Sequence, residues 1–334
     1  MLLSLYPTDP PEVRDAVVEQ ARRLGHPLFT SLHLPEAGPL HRFLHELRAT
    51  QLPFWADVSP ATLELLDLDD LTDLAPWGVV GVRIDYGFTV DQIRRVAQDL
   101  PVAVNASTIT AEELDALEGL DIVGWHNFYP RPETGLSVEH YRNQSALFTE
   151  RGLPLYAFVP GEMTQRAPLH LGLPTVEEQR HVNTWTNWLQ LRRWTPSARI
   201  VCAEGTVDPD HASWIRHAET TGEITIPLAE LADDARYLLE GSWRIRAEQS
   251  GVSQRLEGTR GHAITRGLPR GRERSIGSLV ADGPRWKRYE GEVHLMCASC
   301  PLDPDQVHIG QIASAYAHTA QLVTGHDRVR FLRI

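Results

Sequence analysis

The densest chemistry in the sequence lies in WHNFYPRPETGLS, residues 125–137. An imidazole (His126), an amide (Asn127), a phenol (Tyr129) and a guanidinium (Arg131) stand close together there, stiffened by Pro130, Pro132 and Gly135. The stretch follows an apolar run, DIVGW (121–125), and precedes a helical pattern, SVEHYRNQSALFTERG. It therefore reads as a loop from a strand into a helix, and so many kinds of donor at one strand exit point to a binding site.

Other strand exits add carboxyls. Glu36, Asp57, Asp85, Glu162 and Glu204 each follow an apolar run, in company with Asn105, Ser107 and Arg166. Carboxyl pairs among amides and aromatic rings are what glycosidic bond cleavage uses, one kept protonated as acid and the other acting as nucleophile or base. Each has a plainer reading. Asp57, before Ser59-Pro60, also fits a helix cap. Asp85 in RIDYG shares a face with Arg83 by strand alternation and could pair with it. Glu162 also fits a solvated loop charge, and Glu36 and Glu204 divide evenly between the readings. Asn105, within VAVNAS, has no solvent to explain it. Lys287 is the only lysine, and it lies far down the chain. Schiff-base chemistry is thereby excluded from the site, and any anion must be held by arginine or backbone N–H groups.

The elements that carry these groups repeat one unit over the first 222 residues, an apolar β-rich run followed by a helical pattern. The eight runs are 2–6, 27–34, 53–59, 79–87, 102–108, 121–128, 154–161 and 198–205. Helix starts are marked by Pro10-Pro11-Glu12, by Thr110 with Glu113, and by Ser137; Gly25 and Gly152 mark helix ends. Eight β/α alternations with near-continuous apolar strands predict a parallel (β/α)8 TIM barrel. A doubly wound open sheet is the alternative, but no GxGxxG follows the first strand. From Arg236 the text turns β-rich, interrupted by the loop GTRGHAITRGLPRGRER. The expected domains are a barrel, 1–235, and a small β domain, 236–334.

The chain has 334 residues, 42% hydrophobic and 23% charged, with a net charge of −12. That charge argues against nucleic acid as a partner. The N-terminal MLLSLYPTDPP lacks a basic stretch and a signal-length apolar run, and no segment is long enough to span a bilayer, so no membrane partner is expected. Three cysteines suggest a reducing compartment, the cytoplasm. No cofactor or metal is expected. His41 and His45 lack the HExxH glutamate, and Cys297 and Cys300, near His294 and His308, form a lone CxxC.

FTSLHLPE (29–36), ADVSP (56–60), VRIDYGF (82–88), NAST (105–108), HNFYPRPETGLS (126–137), FVPG (158–161) and RAPLHLGLPTVEEQR (166–180) resemble the 6-phospho-N-acetylmuramidases of the MupG type. RYEGEVHL (288–295) and VHIGQI (307–312) extend the resemblance over nearly the whole chain. Two positions depart from the family pattern. Ala167 stands where glycine is expected, and Cys202-Ala203-Glu204 replaces a Gly-Asp or Gly-Asn strand end.

The resemblance implies a barrel followed by a cyclophilin-like domain. It also implies hydrolysis of the bond between N-acetylmuramic acid 6-phosphate and N-acetylglucosamine during recovery of cell-wall sugars. The substrate is then a small phosphorylated amino sugar with two anions, a phosphate and a lactyl carboxylate. Arg131 and Arg166 are the expected clamps. His126, Asn127, Asn105 and Tyr129 would bind hydroxyl and acetamido groups, with Glu36 and Ser107 alongside. Asp85 and Glu162 are the expected catalytic pair, by analogy with other barrel glycosidases, and Asp57 is the reserve. The second domain is either a lid bringing Tyr289 to the barrel mouth or an oligomer contact such as a homodimer. A non-catalytic sugar-phosphate sensor on the same scaffold would need no paired carboxyls. An isomerase or aldolase is disfavoured by the missing lysine and metal motif.

Overall fold

A computed structural model of the chain describes residues 1–33, 40–84, 86–262, 264, 266–269 and 271–334. They form two compact units, Met1–Pro209 and Asp210–Ile334. In the first, eight parallel strands close into a barrel in sequence order. They are β1 (Leu2–Ser4), β2 (Leu28–Ser31), β3 (Phe54–Val58), β4 (Val79–Ile84), β5 (Val102–Asn105), β6 (Ile122–Trp125), β7 (Leu155–Val159) and β8 (Arg199–Cys202). The intervening helices are α1 (Pro11–Leu24), α2 (Leu40–Ala49), α3 (Pro60–Leu66), α4 (Val90–Val96), α5 (Ala111–Asp115), α6 (Val138–Thr149) and α7 (Thr184–Trp194), and α8 (Pro209–Thr221) follows β8 in the chain. This is the TIM barrel that the alternating runs predict.

The local signals act as read. Pro11 opens α1, and Gly25 ends it with a φ of 71° that suits a residue without Cβ. Thr110 Oγ1 accepts the Glu113 N–H while Glu113 Oε2 accepts the Thr110 N–H, a reciprocal cap on α5. Ser137 Oγ accepts the His140 N–H at the start of α6.

The strands are buried along most of their length because one face meets the barrel interior and the other the helix layer. Large aromatic side chains fill the interior. Trp125 stacks on Tyr156 at 4.2 Å and meets Phe29 and Trp55 at 5.0 and 5.4 Å. Two strand glycines make room for side chains, one inside the barrel and one under the helix layer. A Cβ on Gly81 would lie 2.5 Å from the Trp55 ring, and one on Gly124 would lie 2.6 Å from the Phe148 ring of α6. Phe29 and Phe158, both in this cluster, form an apolar floor at the C-terminal end of the barrel.

The second unit is built on a seven-stranded sheet. Its strands are β9 (Glu223–Leu231), β10 (Ser242–Arg244), β11 (Ser253–Arg255), β13 (Ser278–Asp282), β14 (Val293–Met296), β16 (Gln306–Ile312) and β17 (Arg328–Arg333), in the order β10-β17-β9-β16-β13-β14-β11. β12 (Glu273–Arg274) and β15 (Cys300–Pro301) form a separate two-stranded ladder. β9 pairs with β16 and, in parallel, with β17, so residues well before Arg236 are already part of this sheet. Among the described residues, no helix is long and apolar enough to cross a membrane.

Candidate active site

A cavity of about 370 Å³ opens at the C-terminal ends of the barrel strands. Ser31 and His33 come to it from the end of β2, Asp57 from β3, Arg83 from β4, Asn127 from the exit of β6 and Arg166 from the exit of β7. Convergence of side chains from several strands on this face is how barrel enzymes build their sites.

Its polar centre is a chain of side chains across adjacent strands. Asp57 and Arg83 are register partners in the β3–β4 pairing, so both point to the same face. Arg83 Nη1 donates to Asp57 Oδ1 at 2.7 Å, and Arg83 Nη2 donates to Asn127 Oδ1. His33 Nδ1 lies 3.7 Å from Asp57 Oδ2. Asp57 and Arg83 are both nearly excluded from solvent, so their ion pair offsets the cost of burying the two charges. The helix after β3 takes Ser59 as its N-cap, so Asp57 is left to face the cavity; the Arg83–Asp85 pairing falls on a residue outside the described ones.

Behind Asn127 stands a buttress. Ser107 Oγ accepts the Asn127 N–H at 2.9 Å and lies 3.2 Å from His126 Nδ1, while His126 Nε2 meets Ser145 Oγ at 3.1 Å. His126 is completely buried. That burial, with the charges of His140 and Arg83, pushes its pKa down to about 3, so the imidazole is neutral. His126 and Ser107 therefore position Asn127; neither lines the cavity.

The remaining expected residues are placed differently. Asn105 accepts the Ser107 N–H through Oδ1 and lines a separate cavity of about 240 Å³. The Tyr129 N–H donates to the Pro174 carbonyl. Arg131 is exposed, and its carbonyl accepts bonds from Thr134 Oγ1 and Arg180 Nη2. Glu162 Oε1 accepts the Thr184 N–H at 2.8 Å and Oε2 accepts the Asp208 N–H at 2.9 Å. It ties the β7 exit to the first turn of α7 and to the segment after β8, and it does not line the cavity. Glu36 and Asp85 lie outside the described residues. Tyr289 is in the second unit, where the guanidinium groups of Arg260 and Arg288 lie 4.5 and 4.8 Å from its ring centroid.

Two clamps between loops were not foreseen: Glu177 and Arg180 were not singled out as site residues, and Glu204 was noted only as a carboxyl at a strand exit. Glu177 accepts the N–H groups of Glu133 and Gly135, and Arg180 grips Glu177 and the Gly172 carbonyl. The Arg180 hydrogen bond holds the Glu177 pKa down to about 2. Together these residues lock the loop after β6 to the loop after β7. The second clamp is Glu204, whose Oε2 accepts the Arg166 N–H at 2.5 Å. Burial pushes its pKa up to about 7. The charge-bearing string VEEQR and the odd acid after Cys202 were the available signals, but neither spacing reveals a partner in another loop.

The Cys297–His294 grouping disperses. Cys297 Sγ turns to the Ala320 carbonyl, and His294 Nε2 meets Asp282 Oδ2 at 3.1 Å. Asp282, Glu292 and His294 bring potential ligand atoms within 4.8 Å of one another. Arg246, Arg255 and Arg260 crowd around Glu292, however, and that positive charge opposes a cation.

Two crystal structures share the whole architecture. A conserved protein of unknown function from Enterococcus faecalis has a TM-score of 0.82 at 24% identity, over 100% of this chain and 96% of its own. An uncharacterized B. cereus protein has a TM-score of 0.77 at 20% identity, over 99% and 98%. At such identities the likeness is one of fold. No curated protein matches the sequence. The family model for the N-terminal part of 6-phospho-N-acetylmuramidases matches residues 3–208, the stretch that forms the barrel and its cavity. The chain belongs to the 6-phospho-N-acetylmuramidase family.

Proposed function

We propose that the protein is a cytoplasmic glycoside hydrolase that cleaves N-acetylmuramic acid 6-phosphate from N-acetylglucosamine in the recycling of cell-wall sugars. The observation that carries this reading is the family match over residues 3–208, the segment that builds the cavity. The cavity chemistry agrees with it. Arg166 lines the wall, and its side chain makes no hydrogen bond or ion pair among the described residues, so its charge is available to a phosphate or lactyl carboxylate.

Asp57 is the carboxylate we assign as base or nucleophile, because the Arg83 ion pair fixes its orientation at the floor of the site. Asp85 is kept as the acid on its sequence position after β4. Glu162, with both oxygens on backbone N–H groups, is better suited to hold the loops than to exchange a proton.

The test is incubation of the purified chain with the 6-phosphorylated MurNAc–GlcNAc disaccharide and assay for free GlcNAc. Release is expected, and Asp85→Asn should slow it by about two to four orders of magnitude with the fold intact. Tight binding without release would mark a sugar-phosphate sensor instead. Near-normal turnover in Asp85→Asn would remove that residue from the mechanism.

A further inference from the structure

We infer that Tyr6 is the positioning residue for Arg166: its ring face holds the guanidinium at the cavity wall and leaves the N–H groups for a bound anion. The nature of that anion, a phosphate monoester, rests on the proposed function; the grip itself does not.

Arg166 Cζ lies 3.7 Å from the Tyr6 ring centroid, close enough for stacking on the ring face. Tyr6 is completely buried in the aromatic cluster of the barrel and is pinned at two points. Its hydroxyl donates to the Ala203 carbonyl at 2.8 Å, and its N–H donates to Asp9 Oδ2 at 2.7 Å. The Arg166 backbone is pinned as well, by Glu204 Oε2. Both ends of the arginine are thus fixed by the exits of β1 and β8, although Arg166 itself sits in the loop after β7.

An arginine in such a place would ordinarily be paired with an acid. Asp9 and Glu204, the acids whose charges act on Arg166, are instead turned to backbone N–H groups, of Tyr6 and of Arg166 itself, and neither makes an ion pair with the guanidinium among the described residues. Arg166 Nε and Glu204 Oε1 are both buried without a hydrogen-bond partner among the described residues. A buried guanidinium donor left open in this way costs stability unless a ligand supplies the acceptor. A ring face orients a guanidinium without consuming its five donors; a carboxylate would orient it and neutralise it. The stack therefore makes a preorganised anion grip.

The test uses the full chain and inorganic phosphate as the probe, with affinity measured by calorimetry. Tyr6→Phe keeps the ring and should bind phosphate within about twofold of the parent, whereas Tyr6→Leu removes the ring face and should weaken binding about tenfold. Arg166→Ala should weaken it about a hundredfold to a residual, still measurable affinity, and adding Tyr6→Leu to Arg166→Ala should cause no further loss of that residual affinity, which a merely structural role for Tyr6 does not predict. Should Tyr6→Leu fail to fold, Arg166→Lys carries the test, since lysine keeps the charge but cannot lie flat on the ring; it should bind at least about tenfold more weakly than the parent. Parent-like affinity in Tyr6→Leu or Arg166→Lys overturns the inference, as does a parent chain that does not bind phosphate. If the phosphate cycle holds while the disaccharide is not cleaved, the proposed function fails and the grip stands.

Discussion

Asp57 on β3 and Arg83 on β4 face each other across adjacent parallel strands, joined by a 2.7 Å bond between Arg83 Nη1 and Asp57 Oδ1 beneath the cavity. The side chains are only 8% and 4% exposed, so the pair is screened little by water. The pair fixes the orientation of the Asp57 carboxylate at the cavity.

Removing either partner should therefore be costly. Asp57→Ala or Arg83→Ala removes one member of a buried ion pair and should lower stability by about 3–5 kcal/mol in denaturant unfolding. The apolar double variant Asp57→Leu/Arg83→Met should regain much of that stability while remaining inactive. Activity in the double variant would take Asp57 out of the chemistry.

Glu162 separates holding from catalysis. Glu162→Gln retains one acceptor oxygen but loses the charge that satisfies the Thr184 and Asp208 N–H groups. A loss of about 1–3 kcal/mol in unfolding free energy is expected, with turnover of the folded fraction falling less than tenfold. Unchanged stability with turnover down by about a thousandfold would restore Glu162 to the acid–base pair.

His126 should destabilise the fold in acid. It takes its proton near 6.5 when unfolded and near 3 when folded. Between those values the unfolded state holds more protons, so unfolding free energy rises with pH, by up to about 1.4 kcal/mol per unit from this group. Its contribution is complete above about 6.5 and is lost on acidification through about 3. His126→Gln should flatten that acid limb in urea unfolding between pH 4 and 6. An unchanged limb would mean that the imidazole is not held neutral.

Glu204 acts with the opposite sign. Its pKa rises from 4.5 to about 7 on folding, so the folded state holds more protons in that window. Its contribution is full below 4.5 and declines as pH rises through about 7. Glu204→Gln, which keeps an acceptor for the Arg166 N–H, should lose less stability than the parent from pH 5 to 8. Parallel pH profiles would show that Glu204 is ionised in the folded chain.

Much of this protein was decided by local pattern. Eight apolar runs, each followed by a helical period, specify a parallel barrel because both faces of such strands must be buried. Caps such as Thr110 with Glu113 act over three residues and are legible for the same reason. The partners within the site were decided only by tertiary structure. Register set Asp57 opposite Arg83, and folding turned Glu162 onto backbone N–H groups and sank His126 beneath Asn127. Periodicity records which face a residue occupies, but a hydrogen bond between loops far apart in the chain depends on how the closed barrel brings their ends together.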